Sequence, residues 1–194
     1  MSTDAPLVQI IIGSVRERRF GAPVARWFAD VADARSDLRF EVVDLAAWEL
    51  PALTTPVPPM MGPSADAAIR RWGAKVAQAD GYVLVTPEYN HGYPASLKNA
   101  LDHLFAEWGR KPVGFVSYGG PGGGLRAVEQ LRQVVVELDM VPLRQQVAIP
   151  RVYGRLGPAG ALDADDHVGE ARALLDALAW WTAALRTARL APVG

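Results

Sequence analysis

The chain has 194 residues, half of them hydrophobic, a formal net charge of −1 and no cysteine. That length suits one domain with its own core and is short for two, and the near-neutral balance gives no electrostatic footprint for nucleic acid or an anionic membrane. The lack of cysteine excludes disulfides, thiolate metal sites and a cysteine nucleophile.

In chain order, Met1 to Pro6 shows neither a basic region nor a long apolar run, and no stretch approaches the ~20 apolar residues of a spanning helix. A soluble, cytoplasmic protein is expected. The first strand is Leu7 to Ile12, followed at once by Gly13 and Ser14. A helix follows with Val24, Trp27, Phe28, Val31 and Ala32 on one face, the 3, 4, 7 spacing of an amphipathic helix. Arg39 to Leu45 reads as the second strand, and the proline-rich stretch from Leu50 to Pro63 as irregular. Ile69, Trp72, Val76 and Ala77 mark the second helix, and Gly81 to Thr86 the third strand, ending at Pro87. The third helix carries Leu97, Leu101, Leu104, Phe105 and Trp108. The fourth strand is Pro112 to Tyr118, the fourth helix carries Val128, Leu131, Val135 and Leu138, and the fifth strand lies near Leu143 to Ile149. Pro150 to Ala164 reads as a loop with a minor strand, and the last helix carries Leu174, Leu178, Trp181 and Leu185. Trp27, Trp72 and Trp181 are expected in the core, Trp108 closes the third helix, and Trp48 and Trp180 are placed at the surface or an interface. Five strands alternating with five helices predict a parallel sheet covered on both faces. Residues 1–194 read as a single domain.

Ligands of open α/β sheets bind at the carboxyl ends of the strands, so the loops after strands one, three and four hold the candidate site. In the first, Gly13 to Gly21, backbone N–H groups at a helix start favour an anion. Ser14 adds a hydroxyl, and Arg16 and Arg19 add planar, charged forks for phosphate oxygens. Arg18 reads as solvated. The second loop is Thr86 to Pro94, where Tyr89 offers a ring to a flat ligand and Asn90 an amide that donates and accepts. His91 reads as a loop cap or packing residue rather than a metal ligand, because no second histidine lies near it, and Glu88 as a brace. The third, Ser117 to Gly124, has five glycines in eight positions, which lets backbone approach a ligand closely and offers N–H groups to developing negative charge.

Together these loops resemble the NADPH-dependent FMN reductase family. The run Pro87-Glu88-Tyr89-Asn90-His91-Gly92-Tyr93-Pro94 through Asp102 follows the family's P-E-Y-N signature and the helix after it, Gly13 to Arg16 follows its G-S-x-R start, and Gly119 to Gly124 its glycine-rich turn. The resemblance extends from about Leu7 to Pro150. It implies a flavodoxin-like three-layer sandwich with a five-stranded parallel sheet of order 2-1-3-4-5. It also implies bound FMN, reduced by NADPH or NADH and reoxidised by a quinone, free flavin, azo compound or metal ion. Ser14 and Arg16 would hold the FMN phosphate. Pro87, Glu88, Tyr89 and Asn90 would flank the ring, and Ser117, Gly119 and Gly120 would contact its polar edge. Many members have Ser or Thr where this chain has Arg19. No catalytic side chain is expected, since the cofactor carries the chemistry. A homodimer or higher homo-oligomer is implied, with no membrane or nucleic-acid partner. The rival reading is a flavodoxin-type electron carrier, usually strongly acidic where this chain is near neutral.

Overall fold

The computed structural model describes residues 5–157 and 159–191. Strands β1 (Leu7–Ile12), β2 (Arg39–Asp44), β3 (Gly81–Pro87), β4 (Pro112–Tyr118) and β5 (Val141–Ile149) form one sheet in the order β2-β1-β3-β4-β5. All pairings are parallel, so each crossover needs a covering segment. Helices α1 (Gly21–Ala32), α2 (Ala67–Ala77), α3 (Ala95–Asp102) and α4 (Leu125–Glu137) supply it, and α5 (Val168–Leu190) follows the last strand. This is the three-layer arrangement and strand order expected from the sequence.

The two-residue period of a strand divides the core into two faces. Ile10, Ile12, Val83, Val85 and Val116 pack with Val24 and Phe28 of α1 and Leu174 and Leu178 of α5. Ile11, Tyr82, Leu84 and Phe115 pack on the opposite face with Trp72 of α2, Leu101 of α3 and Leu131 of α4. β3 and β4 are buried at every position, which explains their unbroken apolar runs.

Two elements differ from the periodicity. α3 stops at Asp102 although Leu104 and Trp108 continue its apolar stripe and are buried. The indole N–H of Trp72 donates to Ala100 O at 2.9 Å and that of Trp108 to Leu101 O at 3.1 Å. Those carbonyls would otherwise accept the next helical bonds, so buried tryptophans compete with helix continuation. On α5 the buried stripe is Ala171, Leu174, Leu175, Leu178 and Thr182, and Trp181 is 36% exposed rather than core. Thr182 takes that place because Gly81 leaves room: a Cβ there would lie 3.2 Å from Thr182 Oγ1. The segment after β5 contains a 3-10 turn at Val152–Gly154 and an isolated bridge between Leu156 and Leu162, in keeping with a loop bearing a minor strand. The proline-rich stretch is irregular and exposed apart from a 3-10 turn at Pro59–Met61.

At the far end of the sheet Lys111 is buried, donating to Glu107 O at 2.8 Å and Tyr82 Oη at 3.0 Å. Burial pushes its ammonium down to about 8. This group lies at the amino end of β4, away from the loops that follow.

Candidate functional site

The strand order reverses at β1, since β2 is added on one side of it and β3 on the other. The carboxyl ends of these strands and of β4 therefore meet at a switch point, where open α/β sheets leave a crevice.

The first loop leaves β1 from a pinned position. Gly13 N–H donates to Val85 O at 2.9 Å and its carbonyl accepts from Ser96 Oγ at 2.6 Å. A Cβ on Gly13 would sit 2.9 Å from Leu97 Cδ2 and 3.2 Å from Val85 O, so a side chain there would force its neighbours in α3 and β3 to give way. Ser14 follows, buried, with Oγ 2.7 Å from Tyr89 Oη. Arg16 is exposed and lies over the Tyr89 ring, 5.5 Å from its centroid, a cation–π contact. Arg19 behaves differently: it pairs with Asp44 at the end of β2 and donates to Arg16 O at 3.3 Å. It braces the loop and keeps positive charge beside it. α1 then begins with no side-chain cap and no acidic residue in its first turn, leaving its initial N–H groups and positive dipole end toward the crevice.

The second loop is a tight hairpin. Asn90 and His91 have φ of 49° and 67°, and Tyr89 and Gly92 exchange backbone bonds of 2.8 and 2.9 Å. Two central residues with positive φ make the mirror-image turn that closes two-residue hairpins, and asparagine tolerates that region better than most residues. The His91 carbonyl accepts from Gln130 Nε2 at 2.9 Å, in keeping with a loop-packing role. Glu88 accepts from the Arg126 backbone N–H at 3.1 Å and from its Nη1 at 2.6 Å. It thus satisfies a first-turn donor of α4 and ties the second loop to the third. Pro87 closes β3 and is buried.

The third loop is fastened from both sides. Ser117 Oγ is buried and donates to Gly123 O at 2.7 Å, so its hydroxyl shapes the turn rather than facing the crevice. Gly119 N–H donates to Ile149 O at 3.2 Å, while the carbonyls of Gly119 and Gly120 accept from Val152 at 3.1 Å and Arg151 at 2.9 Å. These bonds stitch the chain after β5 to the glycine turn. A Cβ on Gly120 would meet nothing within 4 Å, so its backbone is open to a ligand.

Between these loops lies a cavity of about 130 Å³ lined by Arg16, Arg19, Phe20, Tyr89, Tyr118 and Tyr153 among others. That is the space of about four water molecules, suited to a phosphate group and not to a tricyclic ring. Of the residues singled out in the sequence, Arg16, Arg19, Pro87, Glu88, Tyr89 and Gly119 line it directly. Ser14 stands behind Tyr89, Ser117 supports the glycine turn, Asn90 is exposed and Gly120 is half-buried next to the lining residue Gly119. Sequence reasoning missed three aromatic residues. Tyr153, 73% exposed, meets Phe20 edge-on with centroids 5.3 Å apart, and nothing local signals that the chain after β5 returns to this crevice. Tyr118 was readable in principle, because strand parity places it on the same face as Val116. Larger cavities of about 450 and 410 Å³ lie under the proline-rich stretch, lined by Pro59, Ile69 and His103 among others. Among the described residues, no group of three or more His, Asp or Glu could hold a metal ion, and no helix is long and apolar enough to cross a membrane.

Residues 6–154 match the family described as NADPH-dependent FMN reductase. An NAD(P)H-dependent FMN reductase of Schizosaccharomyces pombe is 40% identical over 172 residues, covering 85% of this chain and 84% of that protein. A 2-hydroxy-1,4-benzoquinone reductase of a Burkholderia species is 30% identical over 186 residues, covering 90% and 94%. Among solved structures, the flavoenzyme FerB, an NAD(P)H:acceptor oxidoreductase of Paracoccus denitrificans, superposes with a TM-score of 0.73 at 21% identity, covering 93% of this chain and 98% of its own.

Proposed function

The chain belongs to the NADPH-dependent FMN reductase family, and from that premise we propose how this FMN-dependent, NAD(P)H-driven oxidoreductase uses the crevice and what reoxidises it. When bound, FMN supplies hydride acceptance from the nicotinamide and delivery to a second acceptor. The residues present fit that cofactor. The cavity beside the uncapped start of α1 is phosphate-sized and flanked by Arg16 and Arg19, and Gly120 offers open backbone next to it.

In this reading Ser14, Arg16, Arg19 and the first-turn N–H groups of α1 hold the phosphate. Tyr89 couples the phosphate loop to the hairpin through its bond to Ser14. Pro87, Glu88, Tyr89 and Asn90 form one wall for the ring. Glu88 acts through Arg126, fixing that wall relative to the glycine turn. Gly119 and Gly120 form the second wall, with Ser117 setting its shape. The Gly120 backbone N–H stabilises negative charge on the ring's polar edge, that of Gly119 being committed to Ile149 O. No side chain is assigned proton transfer.

The acceptor is a small, diffusible oxidant. Quinones come first, supported by the benzoquinone reductase similar over 90% of this chain; free flavin, azo compounds and metal ions are the further candidates. We assign the whole chain to one flavin-binding domain working as a homodimer in the cytoplasm. The observation carrying the reading is the convergence of three loops, two arginines and an uncapped helix on one phosphate-sized cavity at the switch point. The test is an anaerobic titration of the FMN-loaded protein. NADPH or NADH should bleach the flavin absorbance in one step without a long-wavelength band, and an added quinone should restore it. Reduction by dithionite but by neither nicotinamide would favour the electron-carrier reading.

A further inference from the structure

Folded proteins bond nearly all their buried polar groups. Among the described residues, six buried side-chain atoms have no partner, and two of them, Tyr118 Oη and Arg19 Nε, belong to residues lining the phosphate-sized cavity. Tyr118 ends β4 and is only 4% exposed. Its hydroxyl reaches the start of α1, where a Cβ on Gly21 would lie 2.9 Å from it. Gly21 is therefore the residue that lets this phenol sit against the uncapped helix end. Burial raises the Tyr118 phenol well above its ordinary range, the neighbouring Tyr89 adding to the effect and the Arg19 charge opposing it. The hydroxyl thus stays protonated at neutral pH and is a donor. A phenol O–H and a guanidinium N–H, both unmet in residues that line one cavity, are donors that an anionic acceptor would satisfy.

We propose that Tyr118 is a phosphate-binding residue, its hydroxyl donating to a phosphate monoester seated between Arg16, Arg19 and the first turn of α1. The inference rests on the FMN reading above for the identity of that monoester, the ribityl phosphate. It explains a cost in the chain's own energetics: an unpaired buried hydroxyl destabilises the unliganded protein, and a ligand oxygen removes that cost. Tyr118 is thus held ready at the expense of apoprotein stability, a pattern typical of binding sites.

The test uses Tyr118→Phe, which deletes one oxygen and keeps the ring. In the apoprotein, the melting temperature should stay equal or rise. FMN affinity should fall about tenfold or more, as for loss of a bond to a charged group, while riboflavin affinity is unchanged. Thr182→Val is the matched control: it removes another buried, unpartnered hydroxyl, on α5 and outside the cavity lining, and should leave FMN affinity unaltered. Equal FMN affinity in Tyr118→Phe and wild type, or equal loss for FMN and riboflavin, overturns the proposal. If the wild-type protein takes up no FMN, the parent reading fails, and inorganic phosphate then decides the site. Thermal stabilisation by phosphate that is smaller in Tyr118→Phe supports it, and equal stabilisation refutes it.

Discussion

At the residue scale, the two arginines of the first loop have separate roles. Arg19 is tied to Asp44 and its own loop, with the Arg19 side chain mostly covered. The Arg16 side chain is exposed, lies over the Tyr89 ring, and has no carboxylate within salt-bridge distance among the described residues. A solvated guanidinium with no competing anion contributes most when a phosphate arrives. Arg16→Ala should therefore weaken FMN by about 1.5–3 kcal/mol and leave riboflavin nearly unchanged, as read by fluorescence titration of both flavins. Equal weakening of both would remove Arg16 from the phosphate. Arg19 stands where many members of the family by resemblance carry Ser or Thr, and its ion pair shows how the larger side chain is accommodated: Asp44 holds the guanidinium from the β2 side while Arg19 still lines the cavity.

At the element scale, the glycine turn between β4 and α4 shows which of its glycines serve the fold and which face the ligand. Gly124 has φ of 87°, and a Cβ there would sit 2.8 Å from Ser117 Cβ and 3.0 Å from Tyr118 N. Both backbone strain and collision oppose any side chain, so Gly124→Ala should lower unfolding stability by about 1–3 kcal/mol. Gly120 has open space where its Cβ would be, and Gly120→Ala should keep the melting temperature of the apoprotein within a degree or two. The same methyl would stand where the flavin edge approaches, so FMN affinity should drop. Thermal denaturation and flavin titration on the two variants check this crossed pattern; a Gly120→Ala protein with full FMN affinity would place the ring elsewhere. The periodicity of the helices was readable in most elements, yet α3 ended early. No local signal says that Trp72, in α2, spends its indole N–H on Ala100 O. Helix ends of this kind are decided by partners distant in sequence.

At the scale of the whole molecule, the proline-rich stretch leaves Met60 and Met61 65% and 74% exposed, with Val57 55% exposed beside them. Exposed apolar side chains gathered on one segment offer a contact surface, and these adjoin the cavities under the same segment. We expect a homodimer at micromolar concentration in sedimentation velocity, shifted toward monomer by Met60→Asp with Met61→Asp; a wild-type monomer would refute the assignment. The sequence by itself determined the alternation of strands and helices, the buried nature of β1 and β3, and the three loops that carry polar chemistry. It did so because strand and helix periods and glycine or proline punctuation are local properties of the chain. Only the tertiary structure decided that Ser117 turns its hydroxyl onto Gly123, that Arg19 is claimed by Asp44, and that Tyr118 and Tyr153 reach the same crevice from β4 and from beyond β5. Each of those depends on which strand end lies beside which. Strand order places β1, β3, β4 and β5 side by side across gaps of tens of residues, and the partner of a buried polar atom is chosen by that proximity in space rather than by spacing along the chain.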